Sequence, residues 1–204
     1  SGQVQYERAI STYEEAYRNG VVTGDLIVQG MARLNPAVVA MAVANVNQAR
    51  VRIDQAMEAL KRVGSKIYLL IGYRVMARVC VEESRLEDAE RAIRKGLELN
   101  ASVEDPTANI LLIGHRATVW RKRGEFKKAR NCMNELREQV DALNRPMVTA
   151  VHLLDLAEIE IDSGNTVAAT KCLDQVSRLI EEVGFNENSS VAVKSAALRA
   201  RLVP

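Results

Sequence analysis

Residues 125–133 read EFKKARNCM, and the alanine at their centre, Ala129, decides the fold. Forty residues to either side lie Ala89 and Ala169, and two further steps of forty toward the N-terminus reach Ala49 and Ala9. A second series, Ala37, Ala77, Ala117, Ala157 and Ala197, has the same period and runs twelve residues ahead of the first. Between them fall Ser84, Gly124 and Gly164, again forty apart. A fixed period of this length is the mark of a repeat architecture.

The local spacing is helical. Leu86, Ala89, Ile93, Gly96 and Leu97 share one face, as do Phe126, Ala129, Met133 and Leu136, and then Thr166, Ala169, Leu173 and Val176. Upstream, Tyr73–Ala77–Cys80, Ile113–Ala117–Trp120 and Leu153–Ala157–Glu160 mark a partner helix, with Glu160 the odd member. The segments EESRLED, KRGEFKK and DSGNTVA turn the chain between the two, and Gly124 and Gly164 suit a helix C-terminus. Ala129 is then the small contact that lets its helix cross the one holding Ala117.

Composition agrees. The 204 residues are 48% hydrophobic, 26% charged and only 4% aromatic, with four prolines and eleven glycines, which favours helix over strand. A formal net charge of +2 is too small to argue for nucleic acid or an acidic membrane surface. The longest apolar run, near Tyr68–Gly72, falls far short of the roughly 20 residues a membrane helix needs. Cys80, Cys132 and Cys172 are odd in number and far apart, which predicts reduced core thiols and a cytoplasmic setting.

GEFKKARNCM and SRLEDAERAI resemble the second half of a tetratricopeptide repeat (TPR), with glycine near the turn, a bulky residue two places later and small residues at the crossings. SGNTVAATKCL matches less closely, and GQVQYERAISTYEEA, with Tyr6, Ala9, Tyr13 and Ala16, looks like another second helix. The resemblance implies an all-α, right-handed superhelical solenoid of antiparallel helix pairs, here with repeats of about forty residues rather than the familiar 34. It covers residues 68–200 best. The expected organisation is one helical-repeat domain: a second helix over 1–20, a less regular repeat over 21–64, pairs over 68–100, 107–143 and 147–184, and a terminal helix over 190–203. Pro36 is placed to start a helix, and 37–63 reads as one long helix or as two broken near Asn45–Asn47. LLIGYR (69–74) and LLIGHR (111–116) repeat at 42, but only forty aligns both helices of a pair. The array opens on a second helix and ends on a first, and no methionine opens the chain, so flanking repeats or domains of a longer parent are expected.

No catalytic motif stands out. G-x-x-x-x-G-K-[ST], G-x-G-x-x-G and G-x-S-x-G are absent, and His115 and His152 have no ligand-spaced neighbours. Adjacent carboxylates such as Glu82-Glu83 and Glu181-Glu182 point to different sides of a helix. A non-enzymatic module is predicted, without cofactor or metal.

Binding is the expected role, on the face of the first helices. That projection nominates Arg74, Arg78, Val81 and Glu82, then Gly114, Thr118, Arg121 and Lys122, then Leu154, Glu158, Ile161 and Asp162. Arg74 and Arg78, one turn apart, form a candidate grip for a carboxylate or phosphate, against the plainer reading of two solvated charges. Some TPR co-chaperones hold a peptide's terminal carboxylate with lysine and asparagine at comparable places; here the asparagines are missing and Glu158 intrudes, which argues against that clamp. Arg121, Lys122, Arg123, Lys127, Lys128 and Arg130 form a basic cluster without an aromatic stacking platform, so it reads as a solvated turn ahead of an acidic partner or phosphate backbone. Gly72 and Gly114 sit inside predicted helices, each costing about 1 kcal/mol relative to alanine, and close helix approach is the expected reason. The leading expectation is a protein- or peptide-binding module of a regulatory or scaffold protein. The alternative rests on a similarity to the longer repeats in the sensor region of maltose-type bacterial transcription activators, carried by RATVWRKRGEFKKAR and LLDLAEIEIDSGNTVAATKCLDQVSRLIEEVG. It implies a small-molecule effector and a change of oligomeric state.

Overall fold

The structure is a computed structural model that describes residues 2–42, 45–187 and 189–202, without the side chains of 2–6 and 42. The described residues are helical and contain no strand. In order the helices are α1 (Gly2–Thr23), α2 (Leu26–Ala42), α3 (Val46–Val63), α4 (Lys66–Glu82), α5 (Leu86–Val103), α6 (Pro106–Lys122), α7 (Phe126–Glu135), α8 (Arg137–Leu143), α9 (Pro146–Asp162), α10 (Thr166–Val183) and α11 (Ser190–Ala200). Within each unit neighbouring helices pack in turn, α1 to α5 and α7 to α11, an arrangement compatible with a helical repeat. Contacts divide the chain into two compact units, Ser1–Ala108 and Asn109–Pro204.

The period of forty reappears in the helix boundaries. First helices begin at Leu26, Lys66, Pro106 and Pro146, and second helices at Val46, Leu86, Phe126 and Thr166. The turn inside each pair explains the small-residue positions. Ser84, Gly124 and Gly164 all have positive φ (57°, 78° and 81°). The next residue's amide reaches back five places: Arg85 to the Cys80 carbonyl, Glu125 to Trp120 and Asn165 to Glu160, at 2.8–2.9 Å. This is the Schellman closure, which satisfies carbonyls the ending helix leaves open. The residue that closes one helix also caps the next, and Asn45 and Asn165 do so with their side chains, accepting from the amides of Gln48 and Ala168.

Turns between pairs use a second device. Gly64, Glu104, Asn144 and Gly184 are left-handed, and the extended residues Ser65, Arg145 and Ser189 lead into α4, α9 and α11. At Asp105 this entry is tied on both sides. Asn100 bonds the Asp105 backbone through its amide nitrogen and its oxygen (3.0 Å each), while the Asp105 carboxylate accepts from Thr107 and Ala108. Pro146 occupies the first turn of α9, where its missing N–H costs nothing.

Of the readings of residues 21–64, one changes and one left open is decided. Pro36 does not start a helix; it lies inside α2, which opens ten residues earlier where Asp25 accepts from the Ile27 and Val28 amides. An interior proline costs about 3 kcal/mol, and burial of Leu34, Ala37 and Ala40, all fully inaccessible, offsets it. The stretch 37–63 belongs to two helices: α2 ends at Ala42 and α3 starts at Val46, with Asn45 as cap. A smaller interruption at Leu136 separates α7 from α8.

In the first unit the core joins Leu34, Ala37, Ile53, Met57, Leu60 and Val79. Gly72 is explained here, since a Cβ would collide with the Met57 sulfur. Glu14 ties three helices by receiving Arg33 of α2 at 2.6 Å and Arg52 of α3 at 2.8 Å, and Arg33 lies 3.8 Å over the Tyr17 ring. The bond from Arg52, then the charge of Arg33, holds the Glu14 carboxyl below its ordinary range against the opposing effect of burial.

In the second unit Ile110, Ala117, Ala129, Met133 and Ile159 share one core cluster, and Ala157, Leu173, Val176 and Leu198 another. Ala117, Ala129, Ala157 and Ala169 have no accessible surface, as the crossing argument requires; Ala197 on α11 is exposed. The odd member Glu160 is also buried, because Arg130 of α7 donates to both its carboxylate oxygens (2.5 and 2.7 Å) and Asn165 donates a third bond at 3.0 Å. The three cysteines are buried and free. Burial raises each thiol, Cys80 to about 11.

Candidate functional site

The projected residues of the second unit fall into two groups. Leu154 and the half-buried Ile161 belong to the core beneath α9, so Leu154 has no surface to offer a partner. Arg121, Glu158 and Asp162 do come together. The Arg121 guanidinium donates to Glu158 across 3.1 Å and pairs with Asp162, joining α6 to α9. Sequence projection missed the next rung. Lys194 of α11 meets Asp155 at 2.8 Å and Glu158 at 3.1 Å, and Arg201, just beyond α11, pairs with Asp162. The signal was the period itself, for Lys194 stands forty residues after Leu154 and Arg201 forty after Ile161.

Three first helices thus carry a ribbon of three cations and three carboxylates on one face. Burial pulls the Asp162 carboxyl upward, but the guanidiniums of Arg201 and Arg121 outweigh it and its pKa falls. Burial likewise disfavours a charged Lys194, yet Asp155 and Glu158 more than compensate and its pKa rises. With three cations and three carboxylates, the ribbon's formal charges balance to zero. Thr118 spends its hydroxyl on the Gly114 carbonyl at 3.0 Å, and Lys122 is exposed. Gly114 does not mark a close approach: a Cβ there would meet the Asp155 oxygen at an ordinary 3.6 Å.

In the first unit Val81 is buried, Arg78 and Glu82 are exposed, and Arg74 is half-buried. Burial lowers the Arg74 pKa; Asp105 opposes this and Arg78 adds to it. Among the described residues neither arginine makes a hydrogen bond or ion pair. The basic cluster spreads over several faces. Arg121 belongs to the ribbon, Arg130 to Glu160, and Lys128 pairs with Glu125.

A cleft that sequence reasoning did not nominate lies in the first unit, between α3, α4 and α5. It encloses about 210 Å³ and stays half open to solvent. Its floor is apolar, formed by Tyr73, Met76, Val79 and Cys80, and its rim is basic, with Arg50, Lys61, Arg85, Arg91 and Lys95. Glu83 receives Arg50 at 2.8 Å and Arg85 at 3.2 Å, while Asp88 takes both Arg85 and Arg91. Lys95 lies 5.7 Å over the Tyr73 ring. Helical periodicity assigned Tyr73 and Cys80 to packing, and nothing in the sequence said that α3 and α5 leave that face uncovered.

His115 lies on α6 and His152 in the core of α9, where both ring nitrogens are buried without a hydrogen-bond partner. No group of three or more His, Cys, Asp or Glu that could hold a metal occurs among the described residues. No described helix is long and apolar enough to cross a membrane. The chain matches no model of a known protein family, and a search of curated proteins finds no significant match.

Proposed function

We propose that this chain is a non-catalytic, TPR-like helical-repeat module of a larger regulatory or scaffold protein in the cytoplasm, binding a protein or peptide along the first-helix face of its second unit. One observation carries the reading. Arg121, Glu158 and Asp162, nominated from the repeat alone, lie side by side with Lys194 and Arg201 on a half-buried polar ribbon spanning α6, α9 and α11. Donors and acceptors of both signs recur along it, which suits the alternating amides and carbonyls of an extended peptide. Because the charges already balance, a partner is read through hydrogen bonds and shape rather than net attraction.

The test is selection of binders from a displayed peptide library, followed by Glu158→Ala/Asp162→Ala and hydrogen-exchange footprinting. The expected result is at least a tenfold loss of affinity and protection on α6, α9 and α11. Selected peptides that ignore the double variant and protect other helices would sink this site.

A sensor of the maltose-activator type is the second reading, favoured by the apolar floor and arginine rim of the first-unit cleft. It ranks lower because a site for a small effector buries most of its ligand, and this cleft is half open. Native mass spectrometry showing a retained small mass with a shift of oligomeric state would promote it.

A further inference from the structure

The cleft over Tyr73 does not end at Lys95. Toward the start of α4 it runs into a second hollow of about 320 Å³, bordered by Lys66, Leu69, Leu99 and Ser102 and by the same Tyr73 and Lys95. The two hollows adjoin at Tyr73 and Lys95 and follow one another along α4, and we read them as one groove. Its accessible floor follows α4 from Leu69 to Met76, about 10 Å at 1.5 Å per residue, or two turns of helix. Helix α5 walls it throughout, and α3 flanks only the first hollow.

Charge along the groove is lopsided. Six cations border it, Arg50, Lys61, Lys66, Arg85, Arg91 and Lys95, against Asp54, Asp88 and Glu98, with Glu83 as a fourth carboxylate behind Arg50 and Arg85. The excess of two equals the formal net charge of the whole chain, +2, so the rest of the molecule balances to zero. The arginines are engaged with Asp54, Glu83 and Asp88. Lys61, Lys66 and Lys95 are exposed and make no ion pair among the described residues.

We propose that this groove receives an acidic amphipathic helix of a partner protein. Its apolar stripe would lie on Tyr73, Met76 and Leu69, and its flanking carboxylates would meet Lys61, Lys66 and Lys95. The length accommodates anchors at i, i+3, i+4 and i+7, the pattern by which helices are read in grooves. A methionine and a tyrosine on the floor adapt to varied side chains. The openness that fails to enclose a small molecule leaves room for a helix. The inference shares the binding-module reading but not its site, so either can fail alone.

The probe is a synthetic 16-residue fluorescent peptide, helical by composition, with leucine at i, i+3, i+4 and i+7 and glutamate on both flanks. A scrambled peptide of the same composition and a lysine-for-glutamate peptide serve as controls. Anisotropy titration of the full chain should show saturable binding of the first peptide only. Lys61→Glu/Lys95→Glu should weaken it at least tenfold and Lys61→Gln/Lys95→Gln less, with circular dichroism unchanged. Glu158→Ala/Asp162→Ala should leave it unaltered. Equal binding of the scrambled peptide, indifference to the lysine variants, or no saturable binding overturns the proposal. So does cross-linking of the bound peptide to α6, α9 or α11, although that would leave the module reading standing.

Discussion

Replacing Arg130 with methionine should be among the most damaging single changes in the second unit. The Glu160 side chain is only 5% exposed, and two of its three side-chain bonds come from Arg130. Arg130→Met leaves a buried carboxylate with Asn165 alone. Breaking a buried pair from one side costs about 3–5 kcal/mol. The mirror change is milder. Arg130 is 32% exposed and keeps Ser163 at 2.9 Å, so Glu160→Leu strands a cation that water can reach, and about 1–2 kcal/mol is expected. The double variant removes both charges and puts leucine where the neighbouring surface is apolar; it should lie within about 1 kcal/mol of the parent. Equilibrium urea unfolding of the four proteins gives the cycle, with an expected coupling of at least about 3 kcal/mol. A cost below about 1 kcal/mol for Arg130→Met, or additive single effects, would refute the claim that this pair is desolvated and mutually dependent.

The two helical glycines should part company: Gly114→Ala, with its nearest obstacle 3.6 Å away, should stabilise by about 1 kcal/mol, whereas Gly72→Ala should destabilise because Met57 must move. Thermal melts of both decide it. Ala129→Leu forces a larger side chain into a crossing with no accessible surface and should cost about 1–3 kcal/mol in urea unfolding, while the same change at the exposed Ala197 should be near neutral. Burial lowers the His152 pKa, opposed by Asp155 and reinforced by Arg137. The native state then binds fewer protons than the unfolded chain, so stability should be complete above about pH 6.5 and fall below it, with a slope of at most about 1.4 kcal/mol per pH unit. His152→Leu, which also removes two unpartnered nitrogens, should raise stability at neutral pH and flatten that slope; an unchanged acid limb would refute the assignment.

Much of the architecture was legible because repeats write the same physical demand several times over. Ala129 by itself says little, but five alanines at one period define a crossing, and three small residues define a left-handed turn. Where the demand was met differently, single positions misled. Pro36 resembled a helix start because its N–H is missing, yet buried neighbours on α2 tolerate that loss. Glu160 looked out of place because its partner, Arg130, lies thirty residues away in a cluster that read as solvated. The same limit applied to the sites. Facing residues on α6 and α9 could be projected from helical geometry. The groove over Tyr73 could not, since it depends on how far apart two flanking helices stand.

The ties at the pair turns also act as an address. Arg50 reaches Glu83, thirty-three residues on, and eighty residues later Arg130 reaches Ser163 over the same interval. The corresponding places one repeat along carry Glu90 and Arg123, with the charges exchanged. A chain whose helices are otherwise interchangeable in length and spacing thereby gains a polarity code. Slipping α3 forward by one repeat during folding, or exchanging it with a second copy, would set Arg50 against Arg123. Like charges would then meet, so a few polar residues, and not only the core they enclose, discriminate between repeats.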